Sequence, residues 1–377
     1  MTLAHLSDTH LGYRAYGRNT DYGVNQREVD VMKTFQSCLE AIAERDPDLV
    51  VHSGDLFHVV RPSNATIVRA FELISRFQSK RGGKPFLIIG GNHDTPRLAD
   101  SGNILKLFTS IPGVRVFTHR LEIGEIPELD LEFMAVPHQS LQTGENVEYA
   151  PTLGQKHSLL ILHGIEHELI KNGRGDIEIT ETRHERWTYV ALGDYHTFRP
   201  YGANICYTGS TDFASTNIWD EASTKFWVWF DTEVGKLENI PLKTRRVIDL
   251  PRIDALKLEP RDIEKRLQKN ADWPVDEMPI VRQVVTNALP GIRGRIDQAV
   301  VNEIKATALH YQLDIWAPLK VVEGGAREQQ EGRSLEDTWE EHIAKATLAP
   351  GLKRDEIEQL GKELLKEVDR EVAPAEA

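Results

Sequence analysis

Three observations in the sequence predict an α/β fold. Short apolar runs with the length and β-branched content of buried strands recur along the first half, at Leu3-Ala4-His5-Leu6, Leu49-Val50-Val51-His52, Phe86-Leu87-Ile88-Ile89, Ser158-Leu159-Leu160-Ile161-Leu162 and Tyr189-Val190-Ala191-Leu192. Amphipathic stretches separate the early ones, with Val31, Phe35, Leu39 and Ile42 on one helical stripe and Ile67, Ala70, Phe71, Ile74 and Phe77 on another. Each strand then opens into a polar loop carrying an acid, an amide or a histidine.

Composition sets the outer bounds. The 377 residues are 40% hydrophobic and 27% charged, ordinary for a globular chain with room for two or three domains. No apolar run approaches the ~20 residues of a membrane helix, and no secretory-type segment follows Met1, so the expectation is a cytoplasmic protein with no membrane contact. Cys38 and Cys206 stand far apart and outside any CxxC pattern, which argues against a disulfide framework or a thiolate zinc site. The net charge of −13 is unevenly placed. Residues 331–377 hold 13 acidic and 7 basic side chains, whereas residues 243–269 hold 9 basic and 5 acidic. A basic face of that kind could track a phosphate backbone, and a plain solvated surface is the alternative.

In chain order, the first strand ends in Asp8-Thr9-His10-Leu11-Gly12, where a carboxylate and an imidazole two apart can turn toward one point. A polar loop over residues 14–27 precedes a helix over 28–45, which Asp46-Pro47 breaks. The second strand repeats the plan with Gly54-Asp55-Leu56-Phe57-His58, and Pro62-Ser63 opens the next helix. The third strand opens into Gly90-Gly91-Asn92-His93-Asp94, where paired glycines let the backbone approach an ion closely. Another helix is expected over 98–107, then a hairpin-like region over 114–136 with Leu131–Val136 as its clearest strand.

The fourth donor strand ends at His163-Gly164 and the fifth at Gly193-Asp194-Tyr195-His196. The string His163-Gly164-Ile165-Glu166-His167 also fits the H-x-x-E-H of some zinc peptidases, but that motif needs a helix, and Gly164 directly after a β-branched run marks a strand end. Tyr207–Thr211 and Phe226–Phe230 read as strands closing the same unit. From about residue 242 to 322 a second region alternates strand and helix without a ligand cluster. After a polar linker, Ser334-Leu335-Glu336-Asp337 resembles a capping box for a helix with Leu335, Trp339 and Ile343 on one face, and Ile357, Leu360, Leu364 and Val368 define a second helix. Such a pair suits docking on a partner helix; folding back on its own chain is the alternative.

Together the strand ends deliver Asp8, His10, Asp55, Asn92, His163, Asp194 and His196, all oxygen and nitrogen donors with no thiolate. Two octahedrally inclined ions need about this many protein donors when one carboxylate bridges, and the mix favours manganese or iron over a structural zinc.

Asp-x-His, Gly-Asp-Leu-Phe, Gly-Asn-His-Asp, a lone histidine after a strand and a Gly-x-x-His are similar to the five blocks of calcineurin-like metallophosphoesterases. Asp8–Gly12, the Gly54–His58 block running on to Arg61-Pro62-Ser63, and the domain order resemble more narrowly the DNA double-strand-break repair nucleases, called SbcD in bacteria and the meiotic-recombination-eleven nuclease elsewhere. The resemblance implies a β-sandwich flanked by helices over residues 1–240, a small α+β DNA-contacting cap over 241–325, and a linker with a helical docking tail over 326–377. It implies one metal on Asp8, His10, Asp55 and His196, with Asp55 bridging to a second on Asn92, His163 and Asp194. The expected cofactor is two Mn2+ per chain, with Fe2+ or Mg2+ as partial substitutes. His93 would act as transition-state stabiliser or proton donor, and His58 would orient the phosphate.

The family normally has histidine where this chain has Asp194, so either an altered metal preference or a weakened second site is expected. The resemblance further implies exonuclease and endonuclease activity with a metal-activated water, and a nucleoid-associated cytoplasmic location. DNA contacts would fall at Arg14, Arg61, Lys243, Arg245 and Arg246, and a homodimer would form through helices bearing Ile67, Phe71 and Ile74. An SbcC-type, SMC-like ATPase would bind the C-terminal helices. Two other readings stay open: a phosphatase or cyclic-nucleotide phosphodiesterase on the same scaffold, and a catalytically weak DNA-binding scaffold subunit.

Overall fold

In a computed structural model, the described residues are 1–96, 102–143, 148–170, 175–221, 224–317, 339, 343–344, 354, 357 and 359–361. The chain divides into two compact units, residues 1–318 and 319–377. In the first, β1 (Thr2–Leu6), α1 (Gln26–Arg45), β2 (Leu49–His52), α2 (Asn64–Lys80), β3 (Phe86–Ile89), β4 (Val114–Phe117), β5 (Glu122–Ile126), β6 (Leu131–Val136), α3 (His138–Leu141) and β7 (His157–His163) follow one another. Then come β8 (Tyr189–Gly193), β9 (Arg199–Pro200), β10 (Ile205–Tyr207), β11 (Lys225–Asp231), β12 (Lys236–Leu242), β13 (Val247–Asp249), β14 (Ile253–Asp254), α4 (Pro260–Asn270), β15 (Ile280–Thr286), α5 (Gln298–Ala306) and β16 (His310–Ile315).

Two six-stranded sheets form a sandwich, ordered β12-β11-β1-β2-β3-β4 and β5-β6-β7-β8-β10-β9. The strands of both centres are parallel and fully buried, which explains why they read as continuous apolar runs rather than alternating ones. Alternation survives in which layer each residue enters. Leu3, Leu49, Val51, Leu87 and Ile89 meet Leu131, Phe133, Leu159, Ile161 and Ala191 between the sheets. Their neighbours Ala4, Leu6, Val50, Phe86 and Ile88 pack outward beneath α1 and α2 with Val31, Phe35, Leu39, Ile74 and Phe77. Asn25 and Ser63 cap those two helices, each accepting an early backbone N–H.

Three sequence expectations need correction. The hairpin is β5–β6 alone, because β4 pairs parallel with β3 in the other sheet. The expected 207–211 strand is β10 over residues 205–207 instead, beside β8, while β11 covers the expected 226–230 strand, beside β1. In the expected 98–107 helix, residues 98–101 lie outside the described residues, and the chain from Ile104 to Ser110 forms a 3-10 helix instead. Local pattern marks these segments as apolar and extended but carries no information on which sheet receives them.

Residues 247–315 build a third sheet around β15, which pairs parallel with β13, β14 and β16. It has its own core of Ile253, Ile263, Leu267, Val281, Val285, Val301, Ile304 and Tyr311. This region is tied to the sandwich by Phe213 and Ile218 against Ile280 and Leu309, by Tyr16 stacked on His310 at 4.2 Å, and by Arg245 paired with Asp30. In the second unit the described residues are helical, Ile343 is buried, and the Trp339 ring occupies the space a Cβ on Gly361 would need. The expected capping box at 334–337, and Leu364 and Val368, lie outside the described residues. No described helix is long and apolar enough to cross a membrane.

Candidate metal centre

The loops after β1, β2, β3, β7 and β8 meet at the carboxyl ends of the parallel strands. The first two are zipped together by backbone bonds from Asp8 to Gly54, His10 to Asp55 and Leu11 to Leu56, at 2.9–3.0 Å. Asp8, His10, Asp55 and Asp194 all adopt positive φ, between 51° and 98°. Non-glycine residues avoid that region unless the surroundings enforce it, and such strain collects at functional sites. The enforcing contacts are visible. Gly54 and Gly193 leave the room that the His163 ring occupies, and Gly91 leaves the room for the Asp55 carboxylate.

Asp55 stands at the middle. Its Oδ1 accepts the His93 backbone N–H at 2.8 Å, while Oδ2 lies 3.7 Å from His10 Nε2 and 3.7 Å from His163 Nε2. On one side, His10 Nε2 and His196 Nε2 face each other at 3.0 Å with Asp8 beside them. On the other, His163 Nε2 lies 3.1 Å from Asn92 Oδ1 and 3.8 Å from Asp194 Oδ1. All seven residues expected to hold metal therefore converge. The groups Asp8–His10–His196 and Asp8–Asp55–His163 each keep their ligand atoms within 4.8 Å. Asp8 belongs to both, so it is as central as Asp55.

The imidazoles are oriented from behind. A carbonyl can only accept, so His163 Nδ1 donates to Ser53 O at 2.7 Å and its Nε2 lone pair turns into the site. Likewise His93 Nδ1 donates to His58 O at 2.7 Å. Burial pushes His163 down to about 4, and burial with the neighbouring histidines drives His10 well below its ordinary value, so both stay neutral. Burial and His93 bring His58 to about 4. His196 behaves oppositely: burial lowers it, but Glu221 and Asp8 hold it above its usual value.

The acids carry the complementary signature. Burial, then Asp94, Asp8 and Asp194, push Asp55 well above the carboxylate range, and burial with Asp176 brings Asp194 to about 6. So many buried carboxylates in one place call for positive charge. Neutral imidazole nitrogens aimed at the same point, with oxygen donors and no thiol, fit divalent ions of the manganese, iron or zinc type.

Several supporting residues escape a sequence reading. Asp94 accepts the N–H groups of Leu56, Phe57 and Gly91, stapling the Asn92–His93 loop onto the Asp55 loop. Its signal was its place in the Gly-Asn-His-Asp string. Glu221 Oε1 lies 3.6 Å from His196 Nδ1, and Lys225 donates to Glu221, to Ser210 Oγ and to the His196 carbonyl. Buried Arg27 pairs with Asp212 at 2.7 Å and with Asp30 at 3.0 Å. Arg27, Asp212, Glu221 and Lys225 stand outside the metal motifs, and no local spacing announces them.

A cleft of about 1130 Å³ opens beside the centre, lined by His58, Arg61, Asn92, His93, His138 and Gln142 among others. Both expected catalytic histidines border it. Of the expected DNA contacts, Arg61 lines the cleft and Lys243 is exposed. Arg14 bonds Glu28 at 2.7 Å while staying 61% exposed, and Arg246 pairs with Glu277. Arg245 needs correction: both its ends are consumed by the Asp30 carboxylate and by the carbonyls of Glu277 and Met278, so it is an internal strut. Ile74 needs the same correction as a dimer contact, being fully buried in its own core, while Ile67 and Phe71 are half-buried.

Residues 1–208 match the family described as calcineurin-like phosphoesterase. Among curated proteins the chain is similar to the DNA double-strand break repair protein Mre11 of Sulfurisphaera tokodaii, 30% identical over 56% of this chain and 54% of that protein. It resembles the protein of the same name from Methanococcus maripaludis at 27% identity, over 58% of this chain and 59% of the relative. The Sulfolobus acidocaldarius protein is 25% identical over 83% of this chain and 82% of its own length. The chain thus spans little more than half the length of the first two relatives. With more than half of its residues matching the family, and with the strand-end donors gathered as described, the chain belongs to the calcineurin-like phosphoesterases.

Proposed function

We propose that this protein is a metal-dependent DNA nuclease acting at double-strand breaks, with exonuclease and endonuclease action on phosphodiesters. The observation that carries the reading is the position of Asp55 Oδ2, equidistant at 3.7 Å from His10 and His163, between two convergent donor groups. The similarity to proteins named for double-strand break repair supports DNA as the substrate.

In this reading Asp8, His10, Asp55 and His196 hold one Mn2+ and Asp55, Asn92, His163 and Asp194 the other. Bound there, divalent ions supply Lewis acidity to the phosphodiester and lower the pKa of the attacking water. The chain's own groups do the rest. Asp55 is fixed through Oδ1 so that Oδ2 stays between the two donor groups. His93, with Nδ1 committed to the His58 carbonyl, keeps Nε2 to hold or release a proton at the leaving oxygen. His58 and Arg61 border the cleft and orient the phosphate. The region 241–325 works as a DNA-contacting cap through Lys243, the 326–377 tail docks an SbcC-type ATPase, and a homodimer forms near Ile67 and Phe71.

The test is release of acid-soluble nucleotides from linear duplex DNA by the purified chain with Mn2+, beside His93→Ala. Release by the parent, abolished in the variant while bound metal is unchanged, is the expected result. No release despite two bound metals would redirect the reading to a small phosphoester substrate, for which p-nitrophenyl phosphate and cyclic nucleotides are the direct assays.

A further inference from the structure

His138, Asp176 and Asp194 place one imidazole and two carboxylates together, with their candidate ligand atoms within 4.8 Å of one another. They come from three separate places: the start of α3, the loop beside the Glu166–Ile177 bridge, and the exit of β8. Asp176 is held firmly. Its Oδ2 accepts the Ile165 N–H at 3.0 Å and its Oδ1 the Gln142 amide at 3.2 Å. Gly164 permits that approach, since a Cβ there would stand 3.1 Å from the Asp176 Cβ and press on Leu141. His138 Nδ1 is shut off from solvent and has no hydrogen-bond partner among the described residues. A buried ring nitrogen without a partner calls for one.

We propose that these three side chains form a third divalent-cation site, adjoining the main centre and sharing Asp194 with it. Asp194 Oδ1 lies 3.8 Å from His163 Nε2, so one carboxylate faces both positions. A carboxylate can bridge two cations with its two oxygens, which a single imidazole nitrogen cannot. One imidazole with two carboxylates suits Mn2+, Fe2+ or Zn2+. His138 also lines the cleft, so a cation there adds positive charge to the wall along which a polyanionic substrate would lie. The inference rests on the proposed main centre only through the shared Asp194.

The test titrates the metal-stripped full chain with Mn2+, counts bound ions after equilibrium dialysis, and locates them by anomalous scattering at the manganese edge. Three ions per chain are expected in the parent, one of them beside His138. Two are expected in Asp176→Asn and in His138→Gln, both retaining the ions around Asp55. His138→Gln removes only the 3.5 Å contact between His138 Nε2 and the Gln142 amide and leaves the Asp176–Ile165 bond in place, so it remains informative if Asp176→Asn loosens the Ile165 loop. Two ions around Asp55 and none at His138 in the parent overturn this site alone. Three ions in the parent and in both variants overturn the assignment to these residues, and one ion or none at saturating Mn2+ overturns both this site and the main centre.

Discussion

The buried ammonium of Lys225 donates to the backbone carbonyl of His196 at 3.0 Å, while Glu221, which Lys225 also holds, lies 3.6 Å from the ring of the same histidine. The His196 main chain is thus held by the Lys225 ammonium, with the Glu221 carboxylate near its Nδ1. Partners of this kind typically govern metal affinity by 10–100-fold. Lys225→Met should weaken Mn2+ binding by about that factor, since Glu221 loses the cation that keeps it ionised behind His196. Calorimetric titration of the stripped protein would show it, and unchanged affinity would mean that His196 is set by packing alone.

Gly54 has φ 107°, and the His163 ring fills the place of its missing side chain. Gly54→Ala therefore meets backbone strain and a steric clash at once. We expect a loss of about 3 kcal/mol or more in urea unfolding, as for other strained or overpacked sites. If the variant folds by displacing His163, loss of an ion at the second position would appear in its metal content.

Burial pushes His5 and His52 down to about 3; His5 bonds Tyr189 and Ser53 through its two ring nitrogens, and His52 bonds Thr9 through Nε2. A histidine lowered in the folded state contributes stability that is fully present above its ordinary value of 6.5 and is lost as pH falls toward the folded value. Each group so shifted adds a slope of about 1.4 kcal/mol per pH unit inside that window. His52→Gln can keep the bond to Thr9, so its unfolding free energy should depend on pH less steeply than the parent's between about 6 and 4, by close to one proton. Identical slopes would show that His52 is not buried neutral. Asp94, raised by burial to about 7, titrates in the opposite sense, and comparing variant with parent cancels its contribution.

Arg245 and Arg61 separate a strut from a substrate contact. Arg245 is bonded bidentately to Asp30 and to two carbonyls, whereas Arg61 is exposed at the cleft. Arg61→Gln should reduce the salt dependence of DNA binding by about one counterion, and Arg245→Gln should leave that slope unchanged. Arg245→Gln should instead cost about 1–3 kcal/mol of stability, because it leaves the Asp30 carboxylate short of partners. The reverse pattern, measured by filter binding across salt and by urea unfolding, would return Arg245 to the DNA surface.

The sequence by itself determined which oxygen and nitrogen side chains stand at the strand ends and the order in which they come. A buried strand needs a near-continuous apolar run, and a loop leaving it needs glycine and short polar residues, so five strand-and-donor units were legible as strings. The helices around Val31–Ile42 and Ala70–Phe77 were legible for the same reason, since 3.6-residue periodicity is a local property. Only the tertiary structure decided which sheet each strand joins, as with β4, β10 and β11, because pairing depends on partners distant in sequence. It also decided that Ile74 and Arg245 face inward, that Glu221 and Lys225 stand behind His196, and that Asp176 and His138 gather beside Asp194. Those relationships join residues tens to hundreds of positions apart, and they arise when the sheets pack face to face and bring the strand ends into one place.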